Sequence, residues 1–172
     1  MPAVCAQYER LLPSSVAKSA PAVGLVFLGI GEQFDKLVNG KVLRLGTPAY
    51  ARWLDRELDL RVALLRAQNV PVALVNVPCH DVEFADSNAS SQVTNDAHRL
   101  DELNALVTDY VAAHRGEVAQ IDLHGYLCPH GYTNSAPGVS RLRSDGLHFT
   151  AAGAAYVWRY LMPRVRRLIA AR

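Results

Sequence analysis

What this chain lacks narrows its class before any residue is singled out. Its longest apolar runs, such as Val23 to Ile30 and Val70 to Val77, fall well short of the roughly 20 residues needed to cross a bilayer, so no transmembrane helix is expected. Met1 to Leu12 carries Glu9 and Arg10 and has no apolar core behind a basic leader, so it does not read as a secretion signal. Taken alone, the chain is expected to stay in the cytoplasm. No excess of one charge sign exists either, because the net charge is only +2. The one basic cluster is Arg159, Arg164, Arg166, Arg167 and Arg172, and it interleaves with Val157, Leu161, Val165, Leu168 and Ile169 at helical spacing. These arginines read as the solvated face of a terminal helix whose dipole they complement, and a nucleic-acid partner is not expected. No repeat, low-complexity tract or linker divides the 172 residues, and 50% apolar with 20% charged is the balance of one globular domain.

What is present alternates. Three short apolar, β-branched segments, Val23 to Gly29, Val70 to Val77 and Val118 to Leu123, each lead into a polar loop and are separated by longer amphipathic stretches. That is the pattern of βα units around a parallel sheet, and the fold class is α/β. The first segment is unbroken by charge, as expected of a strand covered on both faces. Thr47 and Pro48 supply an N-cap and a first-turn proline for a helix running to about Ala67, with Tyr50, Trp53, Leu54, Leu58, Val62 and Leu65 on one face. Leu100, Leu103, Val107, Tyr110, Val111 and His114 mark another helix, which Gly116 stops. Thr150 caps a last one, and Cys5 to Lys18 is a further candidate helix. Asn39-Gly40 and Gly46 fall in a loop, and His80 to Asp96 reads as a long polar loop of the kind that is often functional. Asn88-Ala89-Ser90 within it fits an acceptor triplet for N-glycosylation, a pattern common by chance and discounted here.

The segment richest in chemistry is Asp145-Gly146-Leu147-His148-Phe149-Thr150, on the loop before the last helix. A general base needs its imidazole fixed in one tautomer; a carboxylate accepting from Nδ1–H does this and leaves Nε2 free to take a proton from a nucleophile. Gly146 permits the tight turn that such a three-residue spacing requires. Spacing alone favours the plainer reading, an aspartate that caps a turn beside a surface histidine. Position favours chemistry, because ligands of open α/β sheets bind beyond the carboxyl ends of the strands.

Asp145-Gly-Leu-His148-Phe-Thr, followed by Gly153 and an amphipathic helix, resembles the last sequence block of SGNH, or GDSL-like, hydrolases. Gly29-Ile30-Gly31-Glu32 occupies the place of that family's Gly-x-Asn-Asp block. The stretch Val23 to Val165, including Trp53, Leu103-Asn104-Ala105-Leu106 and Leu127-Cys128-Pro129, is most similar to SGNH domains attached to bacterial membrane acyltransferases that modify envelope polysaccharides. The resemblance implies a three-layer, flavodoxin-like α/β/α fold lacking its first strands, with His148 as base, Asp145 orienting it and Gly29 and Gly31 in the oxyanion region. It implies a serine esterase or O-acyl (acetyl) transfer domain for a small ester or an acylated carbohydrate, with no metal or organic cofactor. The family's Gly-Asp-Ser block has no room before Val23. Ser14, Ser15 and Ser19 lie in a segment unlike a strand and turn, and Gly31 offers no side-chain N–H to an oxyanion. Glu32 reads as structural. The nucleophile is therefore expected from an upstream segment or a membrane acyltransferase partner, in an extracytoplasmic or envelope setting if the chain is part of a larger protein. The alternative is a catalytically silent remnant or binding module of the same fold. A first strand left unpaired would also promote self-association.

Of three cysteines, Cys79 ends the second strand and Cys128 follows the third, so both project at one edge of neighbouring strands and a disulfide is expected, with the oxidising compartment that implies. Two alternatives remain open: zinc held by Cys79-His80 and Cys128-Pro129-His130, and Cys79 as nucleophile with His148. Cys5 has no evident partner, and His98, His114 and His124 carry no assigned chemistry.

Overall fold

The computed structural model describes residues 3–82 and 89–171. Along the chain run α1 (Ala3–Ser19), β1 (Gly24–Phe27), a 3-10 turn (Ile30–Gln33), a hairpin of β2 (Lys36–Val38) and β3 (Lys41–Leu43), and α2 (Pro48–Arg66). Then follow β4 (Val72–Val75), α3 (Ala89–Thr94), α4 (Ala97–Ala113), β5 (Val118–Ile121), α5 (Leu123–Leu127) and α6 (Ala151–Ala170). The three strands expected from the sequence form a parallel sheet in the order β1-β4-β5, with Gly24 opposite Val72 and Val72 opposite Val118. Helices flank the sheet, so the expected α/β class holds.

Burial explains the order. All four residues of β4 are buried, because that strand has a neighbour on each edge and helices over its faces. Against it pack Tyr50, Leu54, Leu58 and Val62, one stripe of α2, and Leu103 and Val107 of α4. Each fully buried side chain of this size contributes about 1.5–3 kcal/mol relative to exposure. Caps set the helix starts. Thr47 Oγ1 accepts from Tyr50 N–H, the Asp96 carboxylate accepts from the His98 and Arg99 N–H groups, and Thr150 Oγ1 accepts from Gly153 N–H. At Gly153 a Cβ would lie 2.0 Å from the Leu142 carbonyl oxygen, so only glycine lets α6 approach the loop that carries the Asp145–His148 segment.

The structure corrects several expectations. β1 is not covered on both faces: Leu25 and Val26 are half-buried and Phe27 is 51% exposed. Among the described residues no strand pairs with its outer edge, and a cavity of about 610 Å³ runs along it between α1 and α2. The strands end earlier than their apolar runs: just past Val75 and Ile121 the Asn76 side chain bonds Asp122 and the His124 N–H, and Asp122 caps α5 through the Gly125 N–H. The Asn39-Gly40 loop is a hairpin turn. Both residues have positive φ, +50° and +75°, the combination of a type I′ turn that matches strand twist. α3 lies inside the expected 80–96 loop, and α5 begins where the third strand was expected to end. Asn88 and the side chain of Cys5 lie outside the described residues.

One buried group stands out. Gln33 is fully buried, and among the described residues neither its Oε1 nor its Nε2 has a hydrogen-bond partner, an arrangement that costs roughly 1–3 kcal/mol. Urea melts should therefore separate two core substitutions. Leu103→Ala, at a site with no exposure, should lower stability by about 2–5 kcal/mol. Gln33→Met should be neutral or stabilising, since it removes an unpartnered amide without opening a void.

Candidate active site

The site is built on the loops that leave the carboxyl ends of the strands. Asp145 and His148 meet as their spacing suggests: His148 Nδ1 lies 2.7 Å from Asp145 Oδ2. The other carboxylate oxygen, Oδ1, accepts the backbone N–H groups of Leu147 at 3.0 Å and His148 at 2.7 Å. With both oxygens occupied, the His148 ring is held with Nδ1–H toward Asp145 and Nε2 turned outward. The His148 side-chain bond, helped by the His148 and Leu147 amides, holds the Asp145 carboxyl well below the usual carboxylate range. His148 is 74% exposed, and Nε2 makes no hydrogen bond among the described residues. No serine, threonine or cysteine side chain there engages it.

Two contacts fix this loop to the chain leaving β4. Gly146, at φ +78°, packs so closely on the chain leaving β4 that a Cβ would lie 1.6 Å from the Asp81 oxygen, and its own carbonyl accepts Asp81 N–H. Arg143 is 1% exposed. Its guanidinium donates to the Cys79 carbonyl at 2.8 Å and lies 4.9 Å from the Phe149 ring centroid. Burial pulls its pKa down, and the Tyr132 ring 5.5 Å away gives the cation a second face. Asn134 completes the frame by accepting Arg143 N–H through Oδ1 and donating through Nδ2 to the Arg143 carbonyl. Sequence reading missed Arg143 and Asn134. The one available signal was an arginine just ahead of Asp145 in a loop otherwise rich in small residues.

Gly29 lines a cavity of about 290 Å³ together with Leu147, Phe149 and Trp158, so the end of β1 and the His148 loop are brought together. The Gly29 N–H is already donated to the Glu32 carboxylate at 3.0 Å, which gives Glu32 the structural part expected of it. Gly31 does not line that cavity; its carbonyl accepts from Lys36 Nζ. A Cβ at Gly31 would meet nothing within 4 Å, so packing does not require glycine there.

Cys79 and Cys128 are joined as a disulfide with a Cα–Cα distance of 6.0 Å, and neither sulfur is a thiolate in this state. His80 is buried with Nε2 2.8 Å from the Thr94 carbonyl, a structural bond that occupies the ring. Among the described residues no group of three or more histidine, cysteine and acidic side chains is placed to hold a metal ion. His124 does not sit idle: its N–H donates to Asn76 Oδ1, and Asn76 Nδ2 donates to Asp122, which pins the ends of β4 and β5 together. His114 stacks on Tyr110 near Asp59, and His98 lies near Glu102.

No protein-family model matches this sequence, and no curated protein sequence matches it. Solved structures do share its fold. A protein described as an acylhydrolase from Bacteroides fragilis superposes with a TM-score of 0.64 at 13% identity, over 95% of this chain and 70% of that one. A GDSL-like lipase from Bacteroides thetaiotaomicron gives 0.61 at 15% identity, over 94% and 70%. An acetyl xylan esterase gives 0.54 at 20% identity, over 92% and 74%. The chain thus shares the α/β fold of these three structures. No helix of the described residues is long and apolar enough to cross a membrane.

Two measurements check this geometry. A carboxyl depressed in the folded state contributes stability above its ordinary value of 3.8 and loses it as pH falls through the lower folded value. The stability gap between wild type and Asp145→Asn should be present at neutral pH and shrink below about pH 4 in urea melts. Thiol titration under denaturing, non-reducing conditions should find Cys5 alone reactive. Reducing the Cys79–Cys128 bond, which spans 49 residues, should lower stability on the order of 4 kcal/mol.

Proposed function

We propose that this chain is the histidine–aspartate part of a GDSL-type serine esterase or O-acyl-transfer domain, acting on a small ester or an acylated carbohydrate. The observation that carries this reading is the His148 Nδ1 to Asp145 Oδ2 contact at 2.7 Å with Nε2 left unengaged. An imidazole in that state accepts a proton. In the proposed cycle Nε2 takes the proton of a serine as its oxygen attacks the acyl carbonyl, and Asp145 stabilises the imidazolium that forms. The same proton then passes to the departing alkoxide, leaving an acyl–serine ester. Water opens that ester in hydrolysis, and a sugar hydroxyl opens it in transfer.

The serine is supplied by a strand that pairs with the outer edge of β1. Two observations favour this. The edge is apolar and unpaired among the described residues, with a cavity of about 610 Å³ beside it. The solved structures of the same fold, which are described as an acylhydrolase, a lipase and an acetyl xylan esterase, each have a part with no counterpart here, since this chain spans 70–74% of them. An edge of this kind also invites pairing between copies when the completing strand is absent. The sequence resemblance at Trp53, Leu103–Leu106 and Leu127–Pro129 extends the proposal to envelope polysaccharides and a membrane acyltransferase partner. The rival reading, a silent binding module, draws on Gly31, which stands where the family's oxyanion asparagine belongs.

Hydrolysis of p-nitrophenyl acetate tests the proposal. The chain alone should turn over no faster than its His148→Ala variant. Joined to a polypeptide segment with the Gly-Asp-Ser block, it should gain turnover that His148→Ala reduces by about 10³-fold or more. A joined protein that folds but shows no His148-dependent turnover would favour the binding module. His148-dependent turnover by the chain alone would place the nucleophile within these residues.

A further inference from the structure

A second concavity lies apart from the His148 loop, between the β2–β3 hairpin and the first turns of α2. It has a volume of about 310 Å³. Its exposed polar lining is Lys41 of β3 and Arg52 and Arg56 of α2, with Asn39 at the hairpin turn, while half-buried Val38 and Ala49 supply an apolar surface. No acidic side chain lines it.

That grouping carries positive charge without a carboxylate in its lining. Net charge is only +2, and three other arginines are matched by carboxylates: Arg61 with Glu57, Arg66 with Glu117, Arg99 with Asp35. Lys41 and Arg52, by contrast, make no hydrogen bond or ion pair among the described residues. Arg56 acts through space on its chain neighbour Asp55, which does not line the cavity. Arg52 and Arg56 are also one turn apart on α2, a like-charge spacing that disfavours the helix unless something neutralises it. Two planar guanidinium forks and an ammonium converging on one hollow offer directed donors to an oxyanion, and guanidinium groups match phosphate and carboxylate geometry. The hollow is much larger than an inorganic ion needs, and it reaches the size of small-molecule sites.

We propose that this cavity binds a sugar-sized anionic ligand, a polyol carrying a phosphate or carboxylate group. Lys41, Arg52 and Arg56 hold its oxyanion, Asn39 meets a hydroxyl, and the carbon skeleton rests on Val38 and Ala49. The site does not depend on the nucleophile or on the esterase reading.

Amide NMR titrations at low salt test it, with glucose 6-phosphate, glucuronate, inorganic phosphate and glucose as probes. Glucose 6-phosphate or glucuronate should cause saturable shifts confined to residues 38–43 and 49–56. Arg52→Gln/Arg56→Gln, at exposed positions where folding is checked by circular dichroism, should weaken that binding roughly tenfold or more. Arg166→Gln/Arg167→Gln, with the same loss of charge on α6, should leave it unchanged. Three results would overturn the proposal: shifts that never saturate, equal shifts from glucose, or affinity that survives loss of Arg52 and Arg56. Inorganic phosphate binding as tightly as glucose 6-phosphate would overturn the sugar-sized ligand.

Discussion

Everything at the functional end of this molecule hangs from the chain leaving β4. That strand is buried on both faces and paired on both edges, so its carboxyl end is the most fixed point in the sheet. Residues 76–82 then bond one loop after another. Asn76 reaches Asp122 and His124, Val77 exchanges both backbone bonds with the Asn104 side chain, and Cys79 is tied to Cys128. The Cys79 carbonyl accepts from Arg143, and Asp81 N–H donates to Gly146. The last two carry the His148 loop. A buried arginine answered by carbonyls rather than a carboxylate gives such a loop directional bonds without placing a second negative charge beside Asp145.

The Asp145–His148 pair itself is a local object. Its three hydrogen bonds all fall within four consecutive residues, and Gly146 provides the one positive φ the turn needs. What the fold contributes is location and orientation. This division explains why the pair was legible in the sequence while its supports were not. Asp145, Gly146 and His148 carry their own geometry in their spacing. Arg143 meets the Cys79 carbonyl across 64 positions, and Asn76 meets Asp122 across 46, so no local pattern announces either.

The same reasoning sorts the fold. The stripes of α2 and α4 were legible because helical periodicity repeats over several turns, and Thr47 and Thr150 sit where caps belong. Strand ends were overrun, since apolar character continues through Val77 and Leu123 after the ladder has stopped at Val75 and Ile121. Those side chains stay buried under loops, and burial rather than pairing set the pattern that the sequence displays. The hairpin had a clear signal in Asn39-Gly40, but its strands are three residues each, and Leu37 and Val42 face solvent beside half-buried Val38 and Leu43, so alternation was too short to register.

The disulfide has a bearing on how the chain reaches this state. Its ends lie 49 residues apart, close to the span that separates Val72 from its β5 partner Val118. The cross-link ties the chain just beyond β4 to the chain just beyond β5, so most of the entropy of bringing these two strands together is removed from the search once the sulfurs are joined. Pairing of β1 with β4 receives no such help, because the stretch from Gly24 to Val72 that it must close is not spanned by the cross-link. In the oxidised chain a β4–α4–β5 unit becomes the low-contact-order part, favoured to organise first, and β1 is left to dock onto an edge that already exists.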